Sequence, residues 1–470
     1  MSLRRRGAQK SRDEAFLGSR SIRALPLALS MLASSITAAG IIAFVAHYYH
    51  HGFHTLWAIP VFIPVGLIVT YLFLPVLYEL KVTSIFEYLR MRYGNSVGLA
   101  SSLIYFVLSQ TLGAVTIYAA AVAMTTMLQI PLTISCIVLG VAGTTYTALG
   151  GLRSVVWADC VQAVIMTGSP LVIIGKILYD SSNGVESPRP LNDLDISAYF
   201  LRVDMDLTTD ETVWAASLAA FPFQLTRIGM DQIIAQRFLA ARSLSDAKVV
   251  TFLGVFLVSL FYAIIGLTAL AVIYWFRDCD PVLSGAISRY DQIVPYYINK
   301  SIGSVVGVRG LFLAGVVSAS ISTVSSVVNS HAAVLYIDVV SPNFRIPENK
   351  SALVIITLAA GSGTIMTLSG LLLPYVSSAA KFFISLYAAA SGPFSGIIIL
   401  AFLLPWANAK GTAVAAVGVF IVQIWQTTGR FVSKIAPVSM QYTLDRCANK
   451  SVVNTTAPSL LDDNTGTAEQ

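Results

Sequence analysis

The sequence predicts an all-α integral membrane protein with a core of five-plus-five helices in an inverted repeat, two of which are broken. Of its 470 residues, 56% are hydrophobic and only 11% are charged, whereas soluble domains carry about 25% charged residues. Eleven hydrophobic segments approach or exceed the roughly 20 residues that cross a bilayer as a helix. The segments lie at 25–46, 53–77, 97–128, 131–149, 155–178, 212–230, 249–276, 308–337, 352–374, 380–405 and 411–428.

The basic residues indicate how these segments are oriented. If the N-terminus is cytoplasmic, the inside loops are rich in Lys and Arg, as the positive-inside rule requires, and the loop at 179–211 is acidic and lies outside. The inside residues are Lys81, Arg90, Arg92, Arg153, Arg227, Arg237, Arg242, Lys248, Arg345, Lys350 and Lys410. The resulting regions are a cytoplasmic lead segment (1–24), a first repeat (25–178), an extracellular loop (179–211), a second repeat (212–406), an additional helix (411–428) and an extracellular tail (429–470).

Two predicted spans contain residues that interrupt a helix. The first has a small, polar centre from Ala33 to Gly40, and the sixth contains Pro222. A break at membrane depth frees backbone carbonyls, which are tolerated only where protein or an ion satisfies them. Breaks five spans apart are typical of an inverted repeat with a binding site at the midplane. A close-packed glycine and an ordinary proline kink are the alternative explanations.

The fifth span contains an intramembrane carboxylate. Asp159 and Gln162 are three residues apart and share one helical face. An unpaired carboxylate inside a membrane costs several kcal/mol, so Asp159 is a candidate functional residue. The alternative is a structural ion pair, for instance with Arg153 near the cytoplasmic end.

The eighth span carries a polar stripe within 311–340. Ser318, Ser322, Ser325 and Asn329 share one helical face, and Thr323, Ser326 and Ser330 lie beside it. Hydroxyl residues let membrane helices pack closely. A dense stripe of uncharged oxygens is also what a partly dehydrated alkali cation needs. The stripe alone does not choose between packing and an ion site.

The predicted extracellular regions contain modification candidates. Asn299, Asn449 and Asn454 begin sequons that fall outside, whereas the sequon at Asn349 falls inside and should stay bare. Cys279 and Cys447 both fall outside and could pair, although sequence does not give connectivity. Cys136 and Cys160 lie within spans, where cysteine is usually a small packing residue.

Four motifs in order resemble the sodium/solute symporter family, from about Asp13 to Arg430. They are GGLRSVVWADCVQAV, FLGSRSIRALPLALSMLAS, DQIIAQRFLAARSLSDAK and the Ser/Thr-rich helix ending in Val328-Asn329-Ser330. The resemblance implies a five-plus-five transporter core in which segments one to five and six to ten are the two halves. Family members usually have one more helix before the first motif and at least one after the tail, so the chain is expected to lack the family's first and last helices.

The resemblance also implies two sodium positions. The principal site would use backbone oxygens of Ala33, Ile36 and Ala319 with the hydroxyls of Ser322 and Thr323. A second position, seen in some members, would map to four other residues. They are Asp159, Gln162, Ser325 and Ser326.

The implied substrate is a small anion. Sugar-carrying members have a glutamine where this chain has Gly40 and a tyrosine where it has Ile233. Both departures argue against a sugar and favour the branch that includes monocarboxylate, multivitamin and iodide transporters. Thr37, Gly40 and Phe221 are candidate substrate contacts by position only.

The predicted function is sodium-coupled symport of a small organic or inorganic anion across the plasma membrane. Na+ is then a co-transported ion, no organic cofactor is expected, and membrane lipid is the surrounding partner. A sodium-binding sensor or non-transporting relative is the alternative. No nucleophile–base pair or phosphate loop indicates an enzyme. The net charge of +6 lies largely in loops and the lead, so a nucleic-acid partner is not expected. Four histidines at 47, 50, 51 and 54 invite a metal interpretation, but they are predicted to lie in an exposed loop.

Overall fold

The computed structural model describes residues 14–183, 191, 195–205, 211–301, 307–375, 377–433, 439–445 and 447. These residues form helices joined by short connections, and the only bridge between extended residues among them joins Ile22 to Ala241. The helices, numbered here in chain order, are α1 (Ala24–Ser35), α2 (Ala38–His51), α3 (His54–Glu79), α4 (Ile85–Tyr93), α5 (Asn95–Leu128), α6 (Leu132–Ser182), α7 (Val213–Leu225), α8 (Gln232–Leu239), α9 (Leu244–Phe276), α10 (Ile293–Ser301), α11 (Val308–Val334), α12 (Glu348–Leu372), α13 (Ser377–Leu403) and α14 (Ala409–Ser433).

The predicted first span is two helices. Helices α1 and α2 are bent by 59° at their junction, where Ile36 and Thr37 have extended backbone conformations. The Thr37 hydroxyl accepts a hydrogen bond from the Gly40 amide at 3.0 Å and so caps the start of α2. The small-residue centre of this span therefore produces a true break.

The predicted sixth span is interrupted after Pro222. Helix α7 continues through a π-helical turn, Thr226–Met230, and Asp231 is extended before α8 begins. The Asp231 carboxylate caps α8 by accepting from the Ile233 amide at 2.9 Å. The sixth span thus extends to Leu239, beyond the predicted end at 230. Both interrupted spans, five apart, lie where the inverted repeat requires them.

Helix α6 contains the predicted fourth and fifth spans. Its 51 residues kink at Gly151, which has φ 59° and ψ −163°. A Cβ at this glycine would lie 3.0 Å from the Ala15 carbonyl oxygen, so the positive φ and the close approach of the lead segment both favour glycine. The two predicted segments are therefore separated by a bend rather than a loop.

Helix α11 lies at the centre of the molecule and packs mainly against α6. Gly143 of α6 lets the two helices approach, since a Cβ there would lie 2.7 Å from a Val324 methyl carbon. The whole polar stripe of α11 is buried. Asn329 donates to Gln236 at 2.9 Å, and Ser330 lies 3.1 Å from the Tyr105 hydroxyl. Part of the stripe therefore does serve helix packing.

A short helix joins several spans on the predicted cytoplasmic side. Arg90 of α4 forms an ion pair with Asp338 at 3.2 Å, and Tyr88 donates to the Ala401 carbonyl at 3.0 Å. Ser84, just before α4, also donates to Asp338, at 2.8 Å. Helix α4 thus links the π-helical turn that follows α11, Leu335–Val340, to the end of α13.

The C-terminal end of α2, away from the break, is held by two segments that the charge pattern predicts to be extracellular. Tyr49 donates to Asp280 at 2.8 Å, and its ring stacks on Tyr442 of the tail with centroids 4.8 Å apart. A disulfide joins Cys279 to Cys447. These contacts, called here the outer strap, tie the tail to the C-terminal end of α2.

The four histidines do not lie in an exposed loop. Helix α2 continues through His51 and includes three of them, and His54 is only 2% exposed. Among the described residues, no group of three His, Cys, Asp or Glu side chains could hold a metal ion. The helix runs five residues beyond the predicted end of the span, which explains why the prediction of a loop was wrong.

Candidate functional site

The break between α1 and α2 faces the middle of α11. The Thr323 hydroxyl lies 3.4 Å from the Ile36 carbonyl oxygen and 2.9 Å from that of Ala319. Ser322 is fully buried beside it, and Ala33 is buried in the last turn of α1. Carbonyls at a helix end have no following amide in position to satisfy them. The structure therefore brings Thr323, Ile36 and Ala319 together, with Ser322 next to Thr323 in α11 and Ala33 buried in the last turn of α1.

Asp159 lies next to this junction and is fully buried. Its carboxylate accepts hydrogen bonds from Ser322 at 2.7 Å, Ser30 at 2.6 Å and Ser34 at 3.3 Å. Because Ser322 donates its only proton to Asp159, the lone pairs of its oxygen stay available to a cation. Asp159 thus orients a hydroxyl of the junction without being part of it.

Asp159 forms an ion pair with Arg237. The positive-inside rule had predicted that Arg237 lies in a cytoplasmic loop. Its side chain is fully buried, and the two charged groups are 3.4 Å apart. The guanidinium also donates to Ser34 at 2.8 Å and Ser326 at 2.5 Å, and to the Ile233 carbonyl at 2.6 Å. Arg237 therefore connects α1, α6, α8 and α11.

Arg153, the partner suggested from sequence, lies elsewhere. It donates to the Ser21 hydroxyl in an exposed contact. The pairing of Asp159 with Arg153 was therefore wrong, because α8 folds back into the core and brings Arg237 to the carboxylate. The signal available in the sequence was weak. Every residue of α8 is buried, yet its arginine sits among the basic residues that mark a cytoplasmic loop.

The second predicted sodium position is only partly assembled as an ion site. Asp159 and Ser326 both bind the Arg237 guanidinium. Ser325 donates to the Ser322 carbonyl at 2.9 Å, and the Gln162 side-chain oxygen is buried without a hydrogen-bond partner among the described residues. Three of the four residues accompany the carboxylate of the fourth, Asp159. The positively charged guanidinium of Arg237 already lies among them.

The predicted substrate contacts lie beside a cavity rather than on its walls. Thr37 caps α2, and Phe44 lies 3.9 Å from where a Cβ at Gly40 would be. Phe44 is one wall of a cavity of about 450 Å³ between α2, α3, α7 and α9. Phe221 is a half-buried residue of α7, and its neighbour Phe223 lines the cavity instead.

The predicted glycosylation candidates are placed in part. Asn299 is half-buried in α10, and its carbonyl accepts from Arg309 at 2.8 Å. Asn449 and Asn454 lie outside the described residues.

Comparison with known protein families gives one match over most of the chain. Residues 15–418 match the model of the sodium:solute symporter family. The chain is 29% identical to the human sodium/iodide cotransporter, over 97% of this chain and 71% of that protein. It is 30% identical to the bovine sodium-coupled monocarboxylate transporter 2, over 95% and 73% of the two chains. Mouse sodium-coupled monocarboxylate transporter 1 is also 30% identical, over 90% and 69%.

Solved structures show the same fold. A sodium-coupled sialic acid symporter in a substrate-bound, outward-open state superposes with a TM-score of 0.77 at 18% identity, over 91% of this chain and 93% of that one. Mhp1 in an inward-facing conformation gives 0.56 at 15% identity, over 88% and 93%. At these identities the likeness concerns the fold alone. It confirms the predicted all-α, five-plus-five architecture of a multi-pass integral membrane protein.

Proposed function

Because the chain belongs to the sodium:solute symporter family, we propose that it is a plasma-membrane symporter that uses the sodium gradient to move a small anion into the cell. The named relatives carry iodide or monocarboxylates, which is the branch that the sequence indicated. The observation that carries the proposal is the junction of uncharged oxygens between the α1–α2 break and α11.

We assign Na+ to that junction. Its ligands are the carbonyl oxygens of Ala33, Ile36 and Ala319 and the hydroxyls of Ser322 and Thr323. Carbonyl and hydroxyl oxygens can replace the hydration shell of an alkali cation inside a membrane. Since Asp159 keeps the Ser322 proton pointed away, a bound ion meets lone pairs rather than a hydrogen.

Sodium at this junction bridges the two repeats. Ile36 belongs to the first broken span, and Thr323 belongs to α11 of the second repeat. An ion held by both sides stabilises one arrangement of the repeats and thereby lowers the free energy of forming an adjacent substrate pocket, which is positive coupling between two ligands. Rocking of one set of helices against the other then releases both ligands inside.

A second ion is proposed only for another conformation. Asp159 and Ser326 bind the Arg237 guanidinium here, so sodium held by these residues with Gln162 and Ser325 requires Arg237 to withdraw. Like charges in a buried site repel strongly. The number of ions per cycle therefore depends on where Arg237 moves.

The proposed orientation follows the charges of the loops, with the lead segment and α4 in the cytoplasm and the outer strap outside. It supports assignment of Asn299, Asn449 and Asn454 as glycan acceptors, since their sequons then face the secretory lumen during synthesis.

Cellular uptake tests the proposal. Cells expressing the chain are given labelled nicotinate, lactate or iodide in sodium medium and in medium with choline replacing sodium, and surface biotinylation checks expression. Uptake that requires sodium is the expected result. A surface-expressed chain that takes up none of the three in sodium would contradict symport and favour the second candidate, a sodium-binding sensor, in which the buried stripe of α11 serves binding and packing without transport.

A further inference from the structure

An apolar groove of about 430 Å³ lies between α5, α13 and α14. The one polar side chain in its walls is that of Thr111, whose hydroxyl already donates to the Val107 carbonyl at 3.0 Å. The walls therefore offer no open hydrogen-bonding group, and the groove suits a hydrocarbon chain. The side chains that shape it include Leu103 and Val107 of α5, Phe394 and Ile397 of α13, and Val417 and Phe420 of α14.

The inner wall of the groove is held in place by the core. The Phe394 ring packs against Tyr105 with centroids 6.4 Å apart and against Phe86 at 6.0 Å. Tyr105 in turn donates to the Asp231 carboxylate at 3.0 Å. The wall is thus fixed by contacts that do not need an occupant, and the groove is a preformed concave surface of the kind that binds small molecules.

The groove opens toward lipid rather than water. Leu103, Val107 and Val417 are 50%, 55% and 59% exposed, and α5 and α14 are long and apolar enough to cross a membrane. Along α5, the groove residues begin about two turns after Asn95 and end about five turns before Leu128. The start of α5 lies at the side that the charge pattern predicts to be cytoplasmic, so the groove faces the cytoplasmic leaflet.

Two cations lie at the cytoplasmic end of the same three helices. The Arg92 Nη2 donates to the carbonyls of Leu404 at 3.1 Å and Pro405 at 2.5 Å, and its Nε and Nη1 have no hydrogen-bond partner among the described residues. Lys410 is exposed in the first turn of α14, five positions after Pro405, and forms no ion pair with a described residue. Both side chains therefore lie at the connection between α13 and α14.

The sequence around these cations contains few carboxylates that could neutralise them. Neither α5 nor the stretch from 349 to 444 contains Asp or Glu. The one carboxylate of α4, that of Glu87, accepts from the Thr83 amide at 3.0 Å near the start of that helix. Trp406, between the cations in the sequence, is 78% exposed, and Trp is enriched where a membrane meets water. Basic residues at this depth attract anionic lipid head groups.

We propose that the groove binds an anionic phospholipid of the cytoplasmic leaflet, with one acyl chain along Phe394 and the phosphate at Arg92 and Lys410. The groove residues nearest the cytoplasmic side lie about 9–12 Å from the helix ends, at a rise of 1.5 Å per residue. The glycerol backbone and the first carbons of the chain span this distance. This lipid site goes beyond the proposed symport and does not depend on it.

Lipid binding to the purified protein tests the site. Phosphatidylserine or phosphatidylcholine is titrated into the protein in detergent, and native mass spectrometry counts the bound molecules. The Kd for phosphatidylserine should be about thirtyfold lower than that for phosphatidylcholine, since each cation beside an anionic head group contributes about fivefold, or about 1 kcal/mol. Equal binding of the two lipids would overturn the proposal, because the groove would then hold hydrocarbon without recognising a head group.

Charge variants test the two cations. Lys410→Gln and Arg92→Gln should each weaken phosphatidylserine binding about fivefold and leave phosphatidylcholine binding unchanged. Lys248→Gln is the matched control, because it removes a lysine from α9, which lines no part of the groove. Thermal unfolding confirms that each variant is folded. A folded Lys410→Gln variant that binds phosphatidylserine as tightly as the parent would contradict the assignment of the head group.

A filled groove tests the position of the acyl chain. Ala416 lines the groove, so Ala416→Phe should weaken phosphatidylserine binding at least about tenfold, equivalent to about 1.4 kcal/mol. Ala415→Phe adds the same ring at an exposed position of α14 that does not line the groove, and binding should be retained. Equal phosphatidylserine binding by the two folded variants would place the lipid elsewhere and overturn the proposal.

Discussion

Asp159 has a supporting role at the residue scale. It receives the protons of three serines and the charge of Arg237, so its negative charge is already balanced before any ion arrives. What it gives to the proposed sodium junction is the direction of the Ser322 hydroxyl. The proposed ligands are all neutral oxygens, which suits an ion that must bind and later leave.

Thr323 is the residue whose loss should affect sodium most selectively. Thr323→Ala removes one ligand from a helix that still packs, so the half-activating sodium concentration should rise by about tenfold, the equivalent of about 1.4 kcal/mol. Sodium activation of uptake measures this, with Thr323→Ser retaining the oxygen. Thr357→Ala is the control, since its hydroxyl merely donates to Leu353 on an exposed face of α12. Unchanged sodium activation in Thr323→Ala would count against the junction.

The buried ion pair should respond differently to single and double substitution. Arg237→Met leaves the Asp159 carboxylate buried without its partner, and breaking such a pair typically costs about 3–5 kcal/mol. Asp159→Asn combined with Arg237→Met removes both charges and should recover much of that loss. Thermal unfolding of the detergent-purified variants makes the comparison. A double variant no more stable than the single one would show that the charges are not coupled.

At the scale of elements, the close approach of α6 and α11 holds the junction together. Asp159 and Ser322 are on these two helices, so their 2.7 Å hydrogen bond depends on the helix separation. Gly143 sets that separation by leaving room for Val324. Gly143 therefore affects the proposed ion site only through the distance between the two helices.

A methyl group at Gly143 should separate the helices. Gly143→Ala places a Cβ 2.7 Å from a methyl of Val324, so either the stiff valine or the helix must move, and both stability and sodium affinity should fall. Gly168→Ala, in the same helix with no atom within 4 Å of the new Cβ, should be neutral or stabilising by up to about 1 kcal/mol. Melting temperature and sodium activation measure both variants. Equal behaviour of the two would contradict the packing role.

The membrane spans and the first helix break could be predicted because their own residues carry a clear signal. Hydropathy located the spans, and the small residues from Ala33 to Gly40 gave the first break. The burial of α8 could not be predicted. Charged residues such as Arg237 are typical of loops, and the carboxylate that pairs with it in the core, Asp159, is 78 positions away in the sequence.

At the scale of the whole molecule, the outer strap connects distant parts of the chain. It joins α2, the segment after α9 and the tail through Tyr49, Asp280 and Tyr442, and its disulfide closes a separation of 168 residues. The strap lies at the far end of α2 from the sodium junction. It should therefore affect stability more than sodium affinity.

Replacing both disulfide cysteines tests this separation of roles. Cys279→Ser with Cys447→Ser frees a long loop of the unfolded chain, so stability should fall by up to about 5 kcal/mol, with sodium activation retained at low temperature. Cys160→Ser, at a free cysteine, is the control. Heat inactivation and uptake are compared for the three proteins. A large change in sodium activation without loss of heat resistance would reverse the assignment.

The central claim, that sodium binding at the proposed junction is coupled to substrate binding, is tested most directly by equilibrium binding of radioactive sodium to the purified protein with and without nicotinate. Coupling between two binding sites is reciprocal, so nicotinate should raise the affinity for sodium by the same factor by which sodium raises the affinity for nicotinate, typically about 5- to 150-fold. Sodium binding that is unaffected by saturating nicotinate, in a protein that binds both, would contradict the account.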